Sequence, residues 1–244
     1  MIDALTALKL QLEWGADEAL GDAAVDRFAP VPLQRPPAAA PTVAHTKPVP
    51  RATPRADTLE ALYAELDAFT GCPLRATATH TVRPDGNPAA ELVVIGDAPG
   101  SDDDRSGRAF SGAPGQLLDR VLGSIGLDRQ AMLLTTLVPW RPPGNRPLSE
   151  AEIQACLPFL HRLLALVRPQ RLLLLGAAPV RTLTGQSEPI RRLRGRWIEV
   201  QIPEAQVPIA ALPLPTLDQW LRSATTKRDL WADLRRLRRA VTSG

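Results

Sequence analysis

The chain has 244 residues, of which 44% are hydrophobic and 23% charged, and its formal net charge is +3. These proportions fit a folded globular protein and exclude wholesale disorder or a fibrous repeat. With Cys72 and Cys156 as the only cysteines, a disulfide scaffold and a four-thiolate metal site are also excluded. Apolar runs such as Leu172 to Leu175 fall far short of the ~20 residues that cross a bilayer. Met1 to Leu20 contains Asp3, Glu13, Asp17 and Glu18 and no A-x-A cleavage site, so no signal peptide is expected. A cytoplasmic location and no membrane association are the resulting expectations, and a monomer is expected without a sequence feature that fixes it. Only three of the 29 basic residues (Lys9, Lys47 and Lys227) are lysine. Arginine forks suit phosphate oxygens, but a GC-rich genome gives the same bias, so composition alone does not establish nucleic-acid binding.

In chain order, Met1 to Gly21 has Leu5, Leu8, Leu12 and Leu20 near helical spacing, with Trp14 among them. Residues 1–28 therefore read as a helical extension. Residues 29–56 follow as a linker in which eight of 28 residues are proline, seven are alanine and none is acidic. Residues 57–244 form the expected domain. A helix capped by Asp57 or Thr58 runs to about Phe69 and is stopped by Gly71. Glu91 to Ile95 reads as a buried strand, Pro114 to Ile125 as a helix and Met132 to Val138 as a second strand. Ser149 and Glu152 form a capping-box pair that opens a helix to about Val167. Arg171 to Leu175 is a third strand, Ala177 to Leu183 a short helix, Ile209 to Leu212 a fourth strand and Thr225 to Val241 a closing helix. This alternation predicts an α/β fold: a three-layer α/β/α domain with a mostly parallel four-stranded central sheet.

In such sheets, ligands bind beyond the carboxyl ends of the strands. Gly96-Asp97-Ala98-Pro99-Gly100 follows the first strand and is either a tight exit turn or part of a site; it is neither a G-x-G-x-x-G nor a Walker loop. Asp102, Asp103 and Asp104 could hold a metal, but read more simply as a solvated loop face pairing with Arg105 and Arg108. Phe110 lies in a polar Gly/Ser loop, where its ring either stacks on a base or plugs the loop onto the core. After the second strand, Trp140-Arg141-Pro142-Pro143-Gly144-Asn145-Arg146 forms a stiff loop that could hold Arg141, Asn145 and Arg146 outward for phosphates, or simply a rigid surface turn. Arg191, Arg192, Arg194 and Arg196, ending in Trp197, suit a surface that tracks a nucleic-acid backbone. The closing helix adds Arg235, Arg236, Arg238 and Arg239, for which a solvated helix face is the simpler reading.

These strings, in this order, resemble the family 4 uracil-DNA glycosylases. The resemblance rests on Gly96 to Gly100, Gly107-Arg108-Ala109-Phe110-Ser111-Gly112 and the helix string Gly115-Gln116-Leu117-Leu118-Asp119-Arg120. It extends through Arg141 to Arg146, Cys156 to Leu160 and Leu193 to Trp197, and covers about Leu59 to Leu237. It implies a base-excision enzyme that flips uracil out of DNA into a pocket and breaks the C1′–N bond. It also implies that Phe110 stacks on the flipped base, that Gly96, Ala98, Pro99 and Gly100 wall the pocket and offer backbone donors, and that Asp97 and Asp103 lie near the reacting sugar. DNA is the implied partner.

The sequence departs from the family at two site positions. Thr136 stands where the family has an asparagine that reads the uracil edge. Thr216, followed by Leu217, stands where it has His-Pro; a local shift puts Leu214-Pro215 there instead. Neither alignment restores the imidazole, and the chain has no histidine after His161. A hydroxyl cannot make an amide's paired contact, and one lost oxyanion donor costs roughly 10²–10³ in rate. The resemblance therefore implies weak or altered uracil excision, with a non-catalytic DNA-binding protein as the alternative. Of the four cysteines that often hold an iron–sulfur cluster in the family, Cys72 and Cys156 remain. Arg75 and Trp140 occupy the other two positions, so no cluster and no other metal or cofactor is expected. Trp140 is expected to pack in the vacated volume and Arg75 to face solvent or DNA.

Overall fold

The structure is a computed structural model in which residues 53–242 are described, except Gln206 and Ser223. They belong to the compact unit Lys47–Gly244. The expected N-terminal helix and nearly all of the linker lie outside the described residues. The strands are β1 (Asp85–Gly86), β2 (Leu92–Gly96), β3 (Met132–Thr136), β4 (Arg171–Leu175), β5 (Ile198–Val200) and β6 (Ile209–Leu214). The helices are α1 (Leu59–Ala68), α2 (Ser101–Ser106), α3 (Gly112–Gly123), α4 (Glu150–Val167), α5 (Ala177–Thr184), α6 (Ile190–Leu193), α7 (Leu217–Arg222) and α8 (Ala224–Thr242).

The sheet order is β1-β3-β2-β4-β6-β5. Its four inner strands are mutually parallel, and β1 and β5 pair antiparallel at the two edges. The four expected strands are thus the parallel centre of a six-stranded sheet. The edge strands escape periodicity because β1 has only two residues and β5 only three, too few to display a pattern. The inner strands are almost wholly buried, as expected when helices cover both faces. One face packs Val93, Ile95 and Leu133 against Leu62 and Leu66 of α1 and the apolar side of α4. The other packs Leu92, Val94 and Leu134 against Leu118 and Leu122 of α3, Trp220 of α7, and Leu230, Leu234 and Leu237 of α8.

Local chemistry fixes the ends of these elements. Thr58 caps α1 by accepting from the Ala61 N–H at 3.2 Å. At α4, Ser149 Oγ accepts from the Glu152 N–H at 3.3 Å while Glu152 Oε2 accepts from the Ser149 N–H at 2.8 Å; this reciprocal box satisfies two orphan donors. The chain leaves β2, forms β3 on one side and then β4 on the other, so the topological switch point lies at the carboxyl end of β2. Parallel register sets Gly96 beside Thr136 and Leu175 beside Leu214, which brings the exits of all four inner strands to one rim. No helix among the described residues is long and apolar enough to cross a membrane.

Candidate active site at the sheet rim

The loop leaving β2 is built around two carboxylates with different surroundings. Asp97 packs over Gly176, at the exit of β4: a Cβ at Gly176, whose φ is +108°, would lie 2.5 Å from Asp97 Oδ1. Only glycine fits this backbone and this approach. The Asp97 carboxylate accepts a hydrogen bond from the backbone of Ala178 in the first turn of α5 and feels the charge of Arg181, yet burial outweighs both and raises its pKa to about 6. Its Oδ1 is buried and has no hydrogen-bond partner among the described residues. A buried acceptor of this kind is exceptional.

Asp103 has neither oxygen to spare. Oδ2 accepts from the Gly100 N–H at 2.8 Å and Oδ1 from the Ser111 N–H at 2.6 Å. Its pKa is raised, chiefly by burial, and these bonds work against the rise. The residue braces the Gly96 to Gly100 loop against the Phe110 loop, so the position expected to sit near a reacting sugar is occupied in holding backbone. The acidic run is not a solvated loop either: it forms α2, and Asp103 and Asp104 are 8% and 6% exposed. Asp104 accepts from Thr79 N at 2.8 Å and Thr79 Oγ1 at 2.9 Å. Asp102 does pair with Arg105, whereas Arg108 approaches Asp85 instead, at 4.0 Å. Among the described residues, no group of three or more His, Cys, Asp or Glu could hold a metal ion.

Phe110 has a φ of 54°, a strained conformation for a bulky residue. Three contacts hold it there. Its ring lies on Gly96, where a Cβ would come within 2.7 Å of Cζ; its carbonyl packs where a Cβ of Gly115 would be; and that carbonyl accepts from Arg129 Nη2 at 2.7 Å. Arg129 is itself fixed by Asp119 at 3.0 Å and by Asp85. The ring is 8% exposed and joins the core cluster on that face, the geometry of the plug rather than of an open platform. Thr136 is 7% exposed, and its hydroxyl donates to the Val138 carbonyl at 2.8 Å, so its one donor is consumed locally. Thr216 is half-buried; its N–H donates to Gln219 Oε1 at 3.3 Å and its carbonyl accepts from the Gln219 and Trp220 N–H groups at the start of α7.

The arginines divide into two groups. Arg146 forks onto Glu152, Nη1 to Oε2 at 2.9 Å and Nη2 to Oε1 at 2.5 Å; the guanidinium and the Ser149 cap hold the Glu152 pKa at about 2. Arg194 pairs with Asp233 at 2.8 Å and with Asp229 at 2.9 Å. These two were expected to face phosphates and instead anchor their loops. Arg141 donates to Asn145 Oδ1 at 2.8 Å within its own loop. Arg191, Arg192 and Arg196 are exposed.

At the positions of the absent thiolates, Trp140 is 1% exposed, stacks near Phe69 at 6.4 Å between ring centroids and donates to Thr81 Oγ1 at 3.3 Å. Arg75 turns inward and donates to the Phe69 carbonyl at 2.6 Å, not out to solvent or DNA. Cys72 and Cys156 are buried and unoxidised, and their thiols hydrogen-bond to each other, which lowers the Cys72 pKa and raises that of Cys156. Two thiols flanked by an indole and an inward guanidinium do not fit a cluster that needs four thiolates.

Sequence reasoning passed over Arg129, Gly176 and Ala178. A glycine directly after the third buried strand was the available signal for the latter pair. Nothing local marks Arg129, because its partners lie ten or more residues away.

A model of the uracil DNA glycosylase superfamily matches residues 83–235. The chain is 33% identical over 163 residues to the type-4 uracil-DNA glycosylase of Archaeoglobus fulgidus, covering 65% of this chain and 82% of that protein. It is 32% identical over 157 residues to the one from Pyrobaculum aerophilum, covering 60% and 80%. To the one from Sulfurisphaera tokodaii it is 39% identical over 121 residues, covering 49% of this chain and 55% of the relative's length.

Proposed function

The chain belongs to the uracil DNA glycosylase superfamily, and on that premise we propose that residues 57–244 form a uracil-DNA glycosylase-like domain acting in base-excision repair. It would receive an extruded nucleobase at the rim beside Gly96, Asp97 and Phe110 and hydrolyse the N-glycosidic bond, with weak or altered activity on uracil. One observation carries this reading: the buried Asp97 Oδ1, an acceptor without a partner among the described residues, at the sheet's switch point. When the C1′–N bond breaks, its electrons pass to the base and positive charge develops on the sugar. Asp97, ionised above a pKa of about 6, stabilises that cation and accepts a hydrogen bond from the water that adds to C1′. Ala178 and Gly176 fix the carboxylate's direction. The backbone from Ala98 to Gly100 bounds the base, Phe110 supports that wall from the core through its contact with Gly96, and Arg191, Arg192 and Arg196 meet phosphates. Asp103 acts by position, setting the Phe110 loop.

Two departures from the family support weak activity. The Thr136 hydroxyl is committed to Val138, and Thr216 offers no imidazole to the uracil anion. No iron–sulfur cluster is proposed, because Trp140 fills its place with packed carbon; brown protein carrying iron and sulfide would contradict this. The domain is proposed to work as a cytoplasmic monomer. The test is incubation with a uracil-containing single strand followed by alkali, which cleaves at abasic sites. Slow release by the parent that falls a further 10²-fold or so in Asp97→Asn is expected. Release that is unchanged in Asp97→Asn would remove Asp97 from the chemistry.

A further inference from the structure

The closing helix α8 carries more charge of one sign than a solvated face requires. At 3.6 residues per turn, Lys227, Arg228, Arg235, Arg238 and Arg239 fall within an arc of about 120° that also contains Trp231. All five cations are exposed, and Trp231 is 46% exposed, one of the few large apolar side chains among the described residues that are. The helix's acids, Asp229 and Asp233, point to the other side, where they hold Arg194 and, through Asp233, Arg236. Leu230, Leu234 and Leu237 face the core. No acidic residue falls within this arc.

We propose that this face is a second nucleic-acid surface, which binds single-stranded polynucleotide by stacking a base on Trp231 between phosphates held by the flanking cations. Charge complementarity selects a polyanion, and the exposed indole selects one whose bases are accessible, since a duplex presents no free base faces to stack on. The helix follows α7, which begins next to Thr216 at the rim, and its Val241 shares a cavity wall with Leu92, Ala131 and Arg171 at the opposite ends of the strands. The stripe from Lys227 to Arg239 is therefore about 18 Å of track leading away from the candidate site, and it would hold strand flanking an extruded base. The inference rests on the DNA-directed reading above for its choice of polymer.

The test uses the full chain and fluorescence anisotropy with a uracil-free oligothymidylate, a uracil-free duplex and anionic vesicles. Lys227→Glu/Arg228→Glu/Arg235→Glu should weaken oligothymidylate binding at least tenfold at low salt. It should also lower the salt slope by about two, at roughly 0.7 per lost phosphate contact on a single strand. Trp231→Ala should weaken oligothymidylate roughly five- to tenfold and duplex less than twofold. Circular dichroism checks that each variant is folded. Unchanged oligothymidylate affinity in both folded variants would overturn the proposal, as would equal losses on single strand and duplex in Trp231→Ala. Loss confined to vesicles would reassign the face to a membrane surface. Because these probes contain no uracil, failure of the excision assay would leave this result standing, and the reverse also holds.

Discussion

The loops that leave β2 and β3 lie side by side at the same rim, with Gly96 and Thr136 in register, yet they have been treated in opposite ways. The β2 loop keeps a feature that is costly for folding, a buried carboxylate oxygen without a partner among the described residues, and the loop that Asp103 braces to it, beyond α2, keeps a phenylalanine at φ 54°. The β3 loop has been made comfortable. Thr136 closes on its own strand exit, Trp140 is buried against Phe69, and Arg146 is locked to Glu152. The contrast teaches that neighbouring loops at one rim can differ sharply in how far their groups are satisfied, and it can be broken in either loop.

The largest effect is expected in the β3 loop. Trp140→Ala should lower stability by about 3–5 kcal/mol in chemical denaturation, because a buried indole leaves a cavity; a loss under 1 kcal/mol would show that the indole is not the filling. Arg146→Ala comes next, with a smaller loss, since Glu152 is left buried without its guanidinium partner. In the parent, the Glu152 pKa is depressed to about 2. Its contribution is therefore present above the ordinary glutamate range and fades as the pH falls through about 2; an acid-unfolding curve unchanged by the substitution would sink the assignment.

Asp97→Asn should act in the reverse direction. Folded Asp97 titrates near 6 against an ordinary value of 3.8, so the folded state binds this proton more tightly than the unfolded one does. Its stabilising contribution is complete below about pH 4 and is lost as pH rises through about 6. Asparagine removes that loss. The variant should therefore exceed the parent by about 1–2 kcal/mol at pH 7–8, after allowance for the carboxylate's partial exposure, and match it near pH 4. A variant less stable than the parent at pH 8 would mean that the carboxylate is structural. This stability gained with activity lost is the pattern expected of a functional strained group.

Much of the framework was readable from local pattern. The run from Arg171 to Leu175 coincides with β4, and the Ser149 and Glu152 pair opens a helix that ends at Val167 as expected, because hydrophobic runs and caps are properties of a few adjacent residues. The roles of the polar residues were less legible. Asp103 and Asp104 belong to an acid run that looks solvated, and only the fold supplies the Gly100, Ser111 and Thr79 donors that bury them. Arg194 finds Asp233 39 residues later, a pairing that no local string encodes. The all-basic arc of α8 was hidden for the same reason, since Asp229 and Asp233 dilute it in the sequence but turn away from it in space.

The central claim is that this rim still receives a nucleobase but lacks the amide and imidazole needed for efficient excision. Thr136→Asn/Thr216→His tests it most directly: the rate of alkali-revealed abasic sites in a uracil-containing single strand should rise at least 10²-fold over the parent. A parent that already releases uracil at the rate of the double variant would contradict the account.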